Sequence, residues 1–254
     1  MTNIIEIKNL SFSYNKDNII FNNLSLNIKK GKITTILGKN GCGKSTLIKL
    51  LAKNLNYDSG SIKLENKELS NYNLRELASK LSIVYQKNET PKEITVNDMV
   101  SFARLPYQNI LFYKKSKEDI EKVDFALKHT SLTEYKEKYV SELSGGQLQR
   151  VYIAMCLAQS TDIIILDEPT TFLDIKYQKS IMKLIKHLNN TLGITIIMVL
   201  HDINQALTYS DYIIGLSNGK VVKNDSVDKF YDEKLLNKLY DADIKIEDKK
   251  IISW

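Results

Sequence analysis

Hydrophobic and polar residues alternate over the first thirty residues of the chain. Polar residues separate Ile5 from Ile7, and the same period of two recurs at Leu24, Leu26 and Ile28. This period is typical of β-strands that bury one face. The beginning of the chain is therefore predicted to form strands.

A strand, a glycine-containing turn and a helix are predicted next. Ile33–Leu37 is a short run rich in β-branched residues, and Gly38 follows it directly. Lys44–Leu55 then places its leucines on one face at helical spacing. The glycines of the turn stand out because the chain has only 10 glycines in 254 residues.

The middle of the chain, roughly residues 90–160, has helical spacing and no strand pattern. Helices are predicted over Ser116–Ala126 and Gln147–Ala158, and Ser116 with Asp119 fits a capping box. From Asp162 onward strands and helices alternate again: Ile163–Leu166, Ile175–Thr191, Ile194–Leu200, a helix from Ile203, and Tyr212–Leu216. This alternation predicts a parallel sheet. The middle is then a helical insertion, and Ser226–Tyr240 is predicted to form an amphipathic helix.

Composition narrows the class of protein. Charged residues make up 26% and hydrophobic residues 43%, which is typical of globular proteins. Two cysteines, Cys42 and Cys156, cannot form a disulfide framework, and no apolar run approaches the ~20 residues of a membrane-spanning helix. The net charge of +6 permits an anionic partner but equally fits a solvated lysine-rich surface. No zinc-finger or RNA-binding motif is present, so no nucleic-acid partner is expected.

A phosphate-binding pattern follows the predicted strand. Residues 38–45 read Gly-Lys-Asn-Gly-Cys-Gly-Lys-Ser, which is the GxxxxGKS pattern between a strand and a helix. The glycines allow backbone N–H groups to surround phosphates, and the helix N-terminus adds positive potential. Lys44 is expected to reach the β- and γ-phosphates and Ser45 to bind Mg²⁺.

Two further motifs carry chemistry. The buried run Ile163–Leu166 ends in Asp167 and Glu168, at the strand end where sites of open α/β sheets lie. Asp167 is expected to hold Mg²⁺ and Glu168 to polarise an attacking water. Residues 143–147 read Leu-Ser-Gly-Gly-Gln before a helix, which fits a second anion site or an ordinary helix cap.

In this order the three motifs resemble those of the ATP-binding cassette (ABC) ATPases, over nearly the whole chain. The resemblance implies that Tyr14 stacks on adenine, Gln86 binds Mg²⁺ and senses a membrane partner, and His201 contacts the γ-phosphate. It implies the catalytic residues Glu168, His201, Lys44 and Gln86, and the Mg²⁺ ligands Ser45, Gln86 and Asp167. The implied ATP-contacting residues are Tyr14, Gly38, Lys39, Asn40, Gly41, Cys42, Gly43, Lys44, Ser45, Thr46, Ser144, Gly145, Gly146, Gln147 and Asp174.

The resemblance also implies an architecture. The fold class is α/β: a P-loop NTPase core with a parallel sheet, an N-terminal antiparallel β subdomain and a helical subdomain that carries the signature motif. The expected boundaries are 1–89 and 160–222 for the core, 90–159 for the helical subdomain and 223–254 for a C-terminal helical extension. Two such chains are expected to meet head to tail, each completing the other's ATP site. Tyr85 and Leu148 depart from the common family pattern, but neither position supplies a catalytic group.

Five stretches resemble the ATPases of iron-chelate and cobalamin importers, and ferric-siderophore ATPases most. They are 73–78, 95–100, 104–106, 166–174 and 199–206. The resemblance implies an ATPase at the cytoplasmic face of a membrane, paired with a permease and indirectly with a substrate-binding protein. Cobalamin, haem or metal import is the alternative, and a non-transport ABC ATPase acting on DNA or ribosomes is a second class.

The segment 90–113 is rich in aromatic and apolar residues, a composition that often marks protein contacts. Val96, Met99 and Val100 are predicted to be core. Leu105, Tyr107 and Phe112 are predicted to contact the permease, in a groove beside Gln86.

Overall fold

The computed structural model of the chain describes residues 2–86, 88, 91, 93–108, 116–248 and 250–253. The strands are β1 Asn3–Ser13, β2 Ile19–Lys29, β3 Ile33–Leu37, β4 Ser59–Leu64, β5 Lys67–Glu68, β6 Leu81–Val84, β7 Ile163–Asp167, β8 Thr195–Val199, β9 Tyr212–Ser217, β10 Lys220–Ser226, β11 Lys245–Glu247 and β12 Lys250–Ser253. The helices are α1 Lys44–Leu51, α2 Leu74–Ala78, α3 Val96–Ser101, α4 Lys117–His129, α5 Gly145–Ala158, α6 Ile175–Leu192, α7 Ile203–Tyr209 and α8 Glu233–Tyr240.

The chain divides into two compact units. The first unit comprises Met1–Asn73 and Thr195–Trp254, and the second comprises Leu74–Ile194. The predicted subdomain boundaries cut the chain at other positions, since the predicted core of 1–89 and 160–222 takes residues from both units, and they stay a prediction. Among the described helices, none combines the length and apolar character needed to cross a bilayer.

The first unit contains an antiparallel sheet in the order β2-β1-β4-β5. Strand β1 buries Ile5 and Ile7, changes phase at Asn9, and then buries Leu10 and Phe12. Asn9 has a φ of 49°, and the register against β2 shifts at this point, which identifies a β-bulge. The alternating pattern of the sequence is thus interrupted at Asn9 without losing the buried face.

The first unit also contains the strands β10, β9, β3 and β8, adjacent in this order. Strand β3 runs parallel to both β8 and β9, and all five of its residues are buried. Continuous burial fits a parallel strand that is covered on both faces. The parallel strands therefore end at one edge of the sheet, where the loop after β3 begins.

The second unit combines the parallel pair β6 and β7 with helices. The helices α3, α4 and α5 pack on one another. Ser116 and Asp119 form the predicted capping box at the start of α4. Helix α6 buries residues 181, 184, 185 and 188, a spacing that forms one apolar stripe.

The C-terminal segment differs from its prediction. The single helix predicted over Ser226–Tyr240 is wrong: a 3₁₀ turn covers Val227–Phe230, and the backbone leaves helical geometry at Tyr231. Asp232 then caps α8, because its Oδ1 accepts the Leu235 N–H at 3.1 Å. The segment 223–254 also ends in the hairpin β11–β12, so it is not purely helical.

Candidate functional site

The loop between β3 and α1 has a backbone that requires glycine. Gly38 has a φ of 155°, and a Cβ there would lie 2.0 Å from the carbonyl oxygen of Leu216. Gly43 caps α1 with a φ of 106°, and a Cβ there would lie 2.7 Å from the ring of Phe21. Larger residues would therefore displace the backbone. The loop ends at the N-terminus of α1, and free N–H groups at a helix N-terminus suit phosphate.

The side chain of Lys44 is held inside this loop. Its exposed fraction is 6%, and its Nζ donates to the carbonyl oxygens of Gly38 at 2.6 Å and Lys39 at 2.9 Å. These two bonds place a positive charge against the loop. The neighbouring Ser45 is exposed in the first turn of α1.

Cys42 is buried in the same loop. Burial raises the pKa of its thiol, and the nearby Lys44 charge offsets this only in part. A thiol with a raised pKa carries little reactive thiolate. Cys156 is buried in α5 as predicted, and burial raises the pKa of its thiol to about 12. Neither environment favours a redox switch.

An exposed aromatic ring lies beside α1. Tyr14 directly follows β1, is 47% exposed, and its hydroxyl lies 3.2 Å from Oγ1 of Thr46. Its ring meets the ring of Phe12 edge to face, with centroids 5.0 Å apart. Phe12 is itself only 4% exposed, so Tyr14 is the ring of this pair that offers a face to a ligand.

His201 follows β8 at the edge where the phosphate loop begins. Ile36 of β3 pairs with Val199 of β8, so Gly38 and His201 each lie two residues beyond paired positions. The imidazole is exposed. The register of two parallel strands thus sends His201 out of the sheet at the same edge as the loop.

Glu168 and Gln86 are neighbours in the second unit. Val84 of β6 pairs with Leu166 of β7, and two residues further on Nε2 of Gln86 donates to Oε2 of Glu168. The hydroxyl of Thr171 donates to the same Oε2 at 3.0 Å. The position of Gln86 relative to Glu168 is therefore set by parallel-strand register. Thr171 is a residue that the sequence analysis missed; its place three residues after Glu168 was the available signal.

Glu168 has a φ of 55°, whereas Asp167 ends β7 and is 6% exposed. A left-handed backbone at a non-glycine residue costs of order 1–3 kcal/mol and recurs at functional sites. The turn separates the two carboxylates, leaving Asp167 buried and Glu168 partly exposed.

Ser144 and Gln147 of the Leu-Ser-Gly-Gly-Gln motif form a helix cap. Ser144 Oγ accepts the Gln147 N–H and the Ser144 N–H donates to Gln147 Oε1, which is the capping box of α5. A Cβ on Gly146 would lie 2.5 Å from the ring of Tyr177, so only glycine lets α5 approach α6 there. Ser144 and Gly145 are exposed, which leaves the helix N-terminus open to a partner.

Asp174 caps α6 through a 3.0 Å bond from the Tyr177 N–H to its Oδ1. The residues beside it are exposed to an unusual degree for apolar side chains: 87% for Phe172 and 71% for Ile175. Neither residue was singled out in the sequence analysis, because single apolar residues at a turn carry no periodic signal.

The proposed magnesium ligands supply the right donor atoms. Ser45, Gln86 and Asp167 offer hydroxyl, amide and carboxylate oxygens, which Mg²⁺ prefers. Among the described residues no cluster of three or more His, Cys, Asp or Glu side chains could hold a metal. Mg²⁺ is usually held by one or two side chains together with substrate phosphates, so the residues present fit this ion.

A glycine-dependent loop that follows a parallel strand and opens a helix defines a P-loop nucleotide-binding protein. Residues 21–171 match the family described as ABC transporter. The petrobactin import ATP-binding protein YclP of Bacillus subtilis (strain 168) is 41% identical, over 96% of this chain and 95% of the relative. The iron(3+)-hydroxamate import ATP-binding protein FhuC of the same organism is 38% identical, over 96% of this chain and 90% of the relative.

Solved structures agree with these sequence matches. A metal-chelate type ABC transporter in an inward-facing conformation gives a TM-score of 0.83 at 26% identity, over 99% of this chain and 96% of that chain. The dimeric bacterial ABC transporter cassette MJ0796 gives a TM-score of 0.74 at 31% identity, over 88% and 98%. The chain belongs to the ABC transporter family, as an ATP-binding subunit with ATPase activity. The predicted fold class is confirmed.

Proposed function

We propose that this chain is the ATP-hydrolysing subunit of a ferric-siderophore importer and works at the cytoplasmic face of a membrane. The assignment of the cargo rests on the two relatives described above. They match almost the whole chain and are named for petrobactin and iron(3+)-hydroxamate import. The metal-chelate type transporter supports the same class of cargo. Cobalamin, haem and metal ions are the alternative cargoes.

ATP binding is assigned to the phosphate loop and Tyr14. The Tyr14 ring stacks on adenine, and the N–H groups of residues 38–46 contact the phosphates. Lys44 neutralises the charge of the β- and γ-phosphates. The positive φ angles of Gly38 and Gly43 and the burial of Lys44 support these roles.

Hydrolysis is assigned to carboxylates and His201. Glu168 accepts a hydrogen bond from water and orients it toward the γ-phosphate, and His201 contacts that phosphate. Ser45, Gln86 and Asp167 would hold Mg²⁺, and the bound ion would neutralise charge on the phosphate oxygens. The hydrogen bond from Gln86 to Glu168 supports a carboxylate that is held in place before water attacks.

The same hydrogen bond connects Gln86 with the proposed catalytic Glu168, which supports Gln86 as the link between a permease and the hydrolytic site. Val84 and Asn88, on either side of Gln86 in sequence, line a groove of about 450 Å³ in the second unit. Ile83, Met99, Phe102, Ala103, Pro106, Tyr152, Met155, Cys156 and Gln159 complete its lining. A short cytoplasmic helix of the permease docks in this groove and reports its position through Gln86.

The residues predicted to be core and those predicted to contact the permease differ in exposure. Val96, Met99 and Val100 are buried as predicted, and Leu105 is 52% exposed. Tyr107 donates from its hydroxyl to the Gln159 carbonyl at 2.8 Å, so part of its role is structural. Phe112 lies outside the described residues, as do Leu111 and Tyr113. Phe102, half exposed and lining the groove, is the stronger anchor.

A homodimer completes the proposal. The open N-terminus of α5, with Ser144 and Gly145, faces the ATP held by a second copy. Asp174 and the exposed side chains of Phe172 and Ile175 provide further contact surface. The dimeric MJ0796 cassette supports this arrangement. The substrate-binding protein that delivers cargo acts on the permease and does not touch this chain.

The test is a transport assay in cells that lack the gene. Wild-type chain should restore uptake of radioactive ferric hydroxamate or ferric catecholate, and Glu168→Gln, produced at the same level, should not. Cobalamin and haem are assayed in parallel. Rescue of cobalamin or haem uptake alone would replace the cargo assignment and leave the ATPase assignment intact.

A further inference from the structure

Near the C-terminus of the first unit, α8 and the hairpin β11–β12 are joined to each other by hydrogen bonds. The hairpin β11–β12 is tied to α8 by two side chains: Glu233 Oε1 accepts the Ile246 N–H at 2.8 Å, and Asn237 Oδ1 accepts the Ile244 N–H at 2.6 Å. Ile244 is fully buried. Residues 233–253, called the C-terminal brace below, therefore hold together through main-chain hydrogen bonds as well as packing.

The end of α8 lies against the end of β3 and the start of the phosphate loop, residues 38–43. Gly215 of β9 pairs with Leu37, and the side chain of Leu239 lies 3.4 Å from the Cβ position of Gly215. Two residues later in the brace, Oδ2 of Asp241 accepts from Nζ of Lys39 at 3.0 Å. The brace thus contacts the last residue pair of the strand and the second residue of the loop.

Tyr240 lies between these two contacts. Its hydroxyl is sealed from solvent, and within the described part of the chain it makes no hydrogen bond of normal geometry. Burial raises the pKa of Tyr240, and the backbone N–H of Gly38 opposes this rise, as an N–H directed at the hydroxyl oxygen does. An unsatisfied buried hydroxyl is destabilising and rare in native structures, so the place of this one beside Gly38 needs an explanation.

The other end of the brace is fixed to the helix that follows His201. Nδ2 of Asn204 donates to the Ile251 carbonyl at 3.2 Å, and Oδ1 of Asn204 accepts the Ile251 N–H at 2.8 Å. Asn204 lies in the first turn of α7, three residues after His201. One amide side chain thus joins the hairpin to the loop that carries the histidine.

We infer that the brace positions the two ATP-facing loops of the first unit, with Tyr240 acting on the phosphate loop and Asn204 acting on the His201 loop. This inference rests on the ATP-binding role proposed above for the loop. Tyr240 and Asn204 are positioning residues, because neither is expected to touch ATP. The Lys39–Asp241 pair adds little by itself, since both side chains are exposed and such pairs contribute weakly.

The purified full-length chain is tested with a fluorescent ATP analogue, steady-state ATPase kinetics and thermal unfolding. Tyr240→Phe keeps the ring and removes the buried hydroxyl oxygen that faces the Gly38 N–H, so the phosphate loop should be held less firmly. ATP affinity should then fall and KM rise by about two- to tenfold. The melting temperature of the nucleotide-free chain should stay the same or rise. Asn204→Ala should lower kcat by a similar factor and leave KM within twofold.

Tyr231→Phe is the matched control, because the Tyr231 hydroxyl donates to the Leu207 carbonyl of α7 at 3.4 Å. It should leave KM unchanged. Unchanged ATP affinity in Tyr240→Phe overturns the inference, and so does a lower melting temperature with a proportional loss of both kinetic constants, which is what a purely structural residue gives. If the wild-type chain itself binds no ATP, the proposed function fails instead.

Discussion

The phosphate loop and the permease groove are built in opposite ways. The loop consists of consecutive residues whose backbone N–H groups are proposed to bind phosphate. At Gly38 and Gly43 a side chain would clash with neighbouring atoms. The groove consists of side chains from β6, α5 and the segment around α3, brought together by packing. Chemistry that depends on backbone can be read from a short pattern, whereas a surface that depends on packing cannot.

The two regions should also fail in different ways. Changes among the ATP-facing residues should impair ATP binding or hydrolysis by the isolated chain, with or without a permease. Changes in the groove should leave that turnover intact and abolish only coupling. Four predictions test this separation, in order of decreasing effect.

Glu168→Gln should reduce ATP hydrolysis by the isolated chain about 10²–10⁴-fold, the usual cost of losing a general base. The amide keeps the size of the side chain and can still accept from Gln86 and Thr171, so ATP binding should persist and a closed dimer should accumulate. Single-turnover hydrolysis and size-exclusion chromatography measure both effects. Glu121→Gln, exposed on α4, is the control, and near-normal turnover in Glu168→Gln would remove this residue from its role.

Sequence reasoning succeeded where one local pattern dictates the structure. The prediction of the strand Ile33–Leu37 is correct, because a short run rich in β-branched residues favours a strand. The prediction of the capping box at Ser116 is correct, because a cap depends only on residues three apart in sequence. The family resemblance supplied Gln86, and the structure explains its place through the register of β6 and β7.

Sequence reasoning missed features that a side-chain cap, a turn or a partner distant in the chain decides. The apolar spacing over Ser226–Tyr240 fits one helix, yet Asp232 prefers to cap and splits it. The permease contact of Tyr107 stays a prediction, and the sequence does not show that its hydroxyl donates to the carbonyl of Gln159, 52 residues away. Thr171 was missed because its partner Glu168 is reached through a turn with a left-handed residue.

Asp119→Asn tests what holds the groove. Arg104 is 3% exposed, donates to Asp119 Oδ1 at 2.9 Å and to the Ala158 carbonyl, and precedes the groove residue Pro106. Breaking a buried pair costs about 3–5 kcal/mol. We expect a loss of about 3 kcal/mol in the free energy of unfolding at neutral pH, measured by urea titration. Asp124→Asn, exposed on the same helix, is the control.

The pH dependence has a definite sign. Burial would raise the pKa of Asp119, but hydrogen bonds from Arg104 and Ser116 outweigh it and lower the pKa below its ordinary value. The stabilisation by the carboxylate is therefore complete above the unfolded pKa of about 3.9 and is lost as pH falls through the lower folded pKa. The gap between wild type and Asp119→Asn should close in strong acid. A gap that stays constant with pH would mean that shape, not charge, matters there.

Phe102→Ala combined with Leu105→Ala should weaken capture of the permease about 30-fold, since truncating an interface anchor costs about 2 kcal/mol or more. Both side chains are half exposed, so the melting temperature and the basal ATPase of the isolated chain should stay near wild type. Phe125→Ala, on the exposed side of α4, is the control. Loss of basal ATPase together with the fold would show that these residues are core and that the groove is not a docking surface.

Tyr14→Ala should have the smallest effect and sets the sharpest contrast with the groove. Tyr14 and Phe102 are about equally exposed, at 47% and 50%. Tyr14 lies beside the first turn of α1, where its hydroxyl meets Thr46, whereas Phe102 lines the groove. Base stacking on an aromatic ring contributes about 1–3 kcal/mol, so the KM for ATP should rise about fivefold at the low end, with kcat unchanged. Tyr14→Phe keeps the ring and should bind ATP nearly as well. Phe12→Ala should instead lower stability, because Phe12 is buried under Tyr14 and paired with Phe21 across β1 and β2. If Tyr14→Ala lowers kcat at constant KM, the Tyr14 ring does not stack on the adenine base. The exposed fractions of Tyr14 and Phe102 would then not tell which ring binds ATP and which contacts the permease.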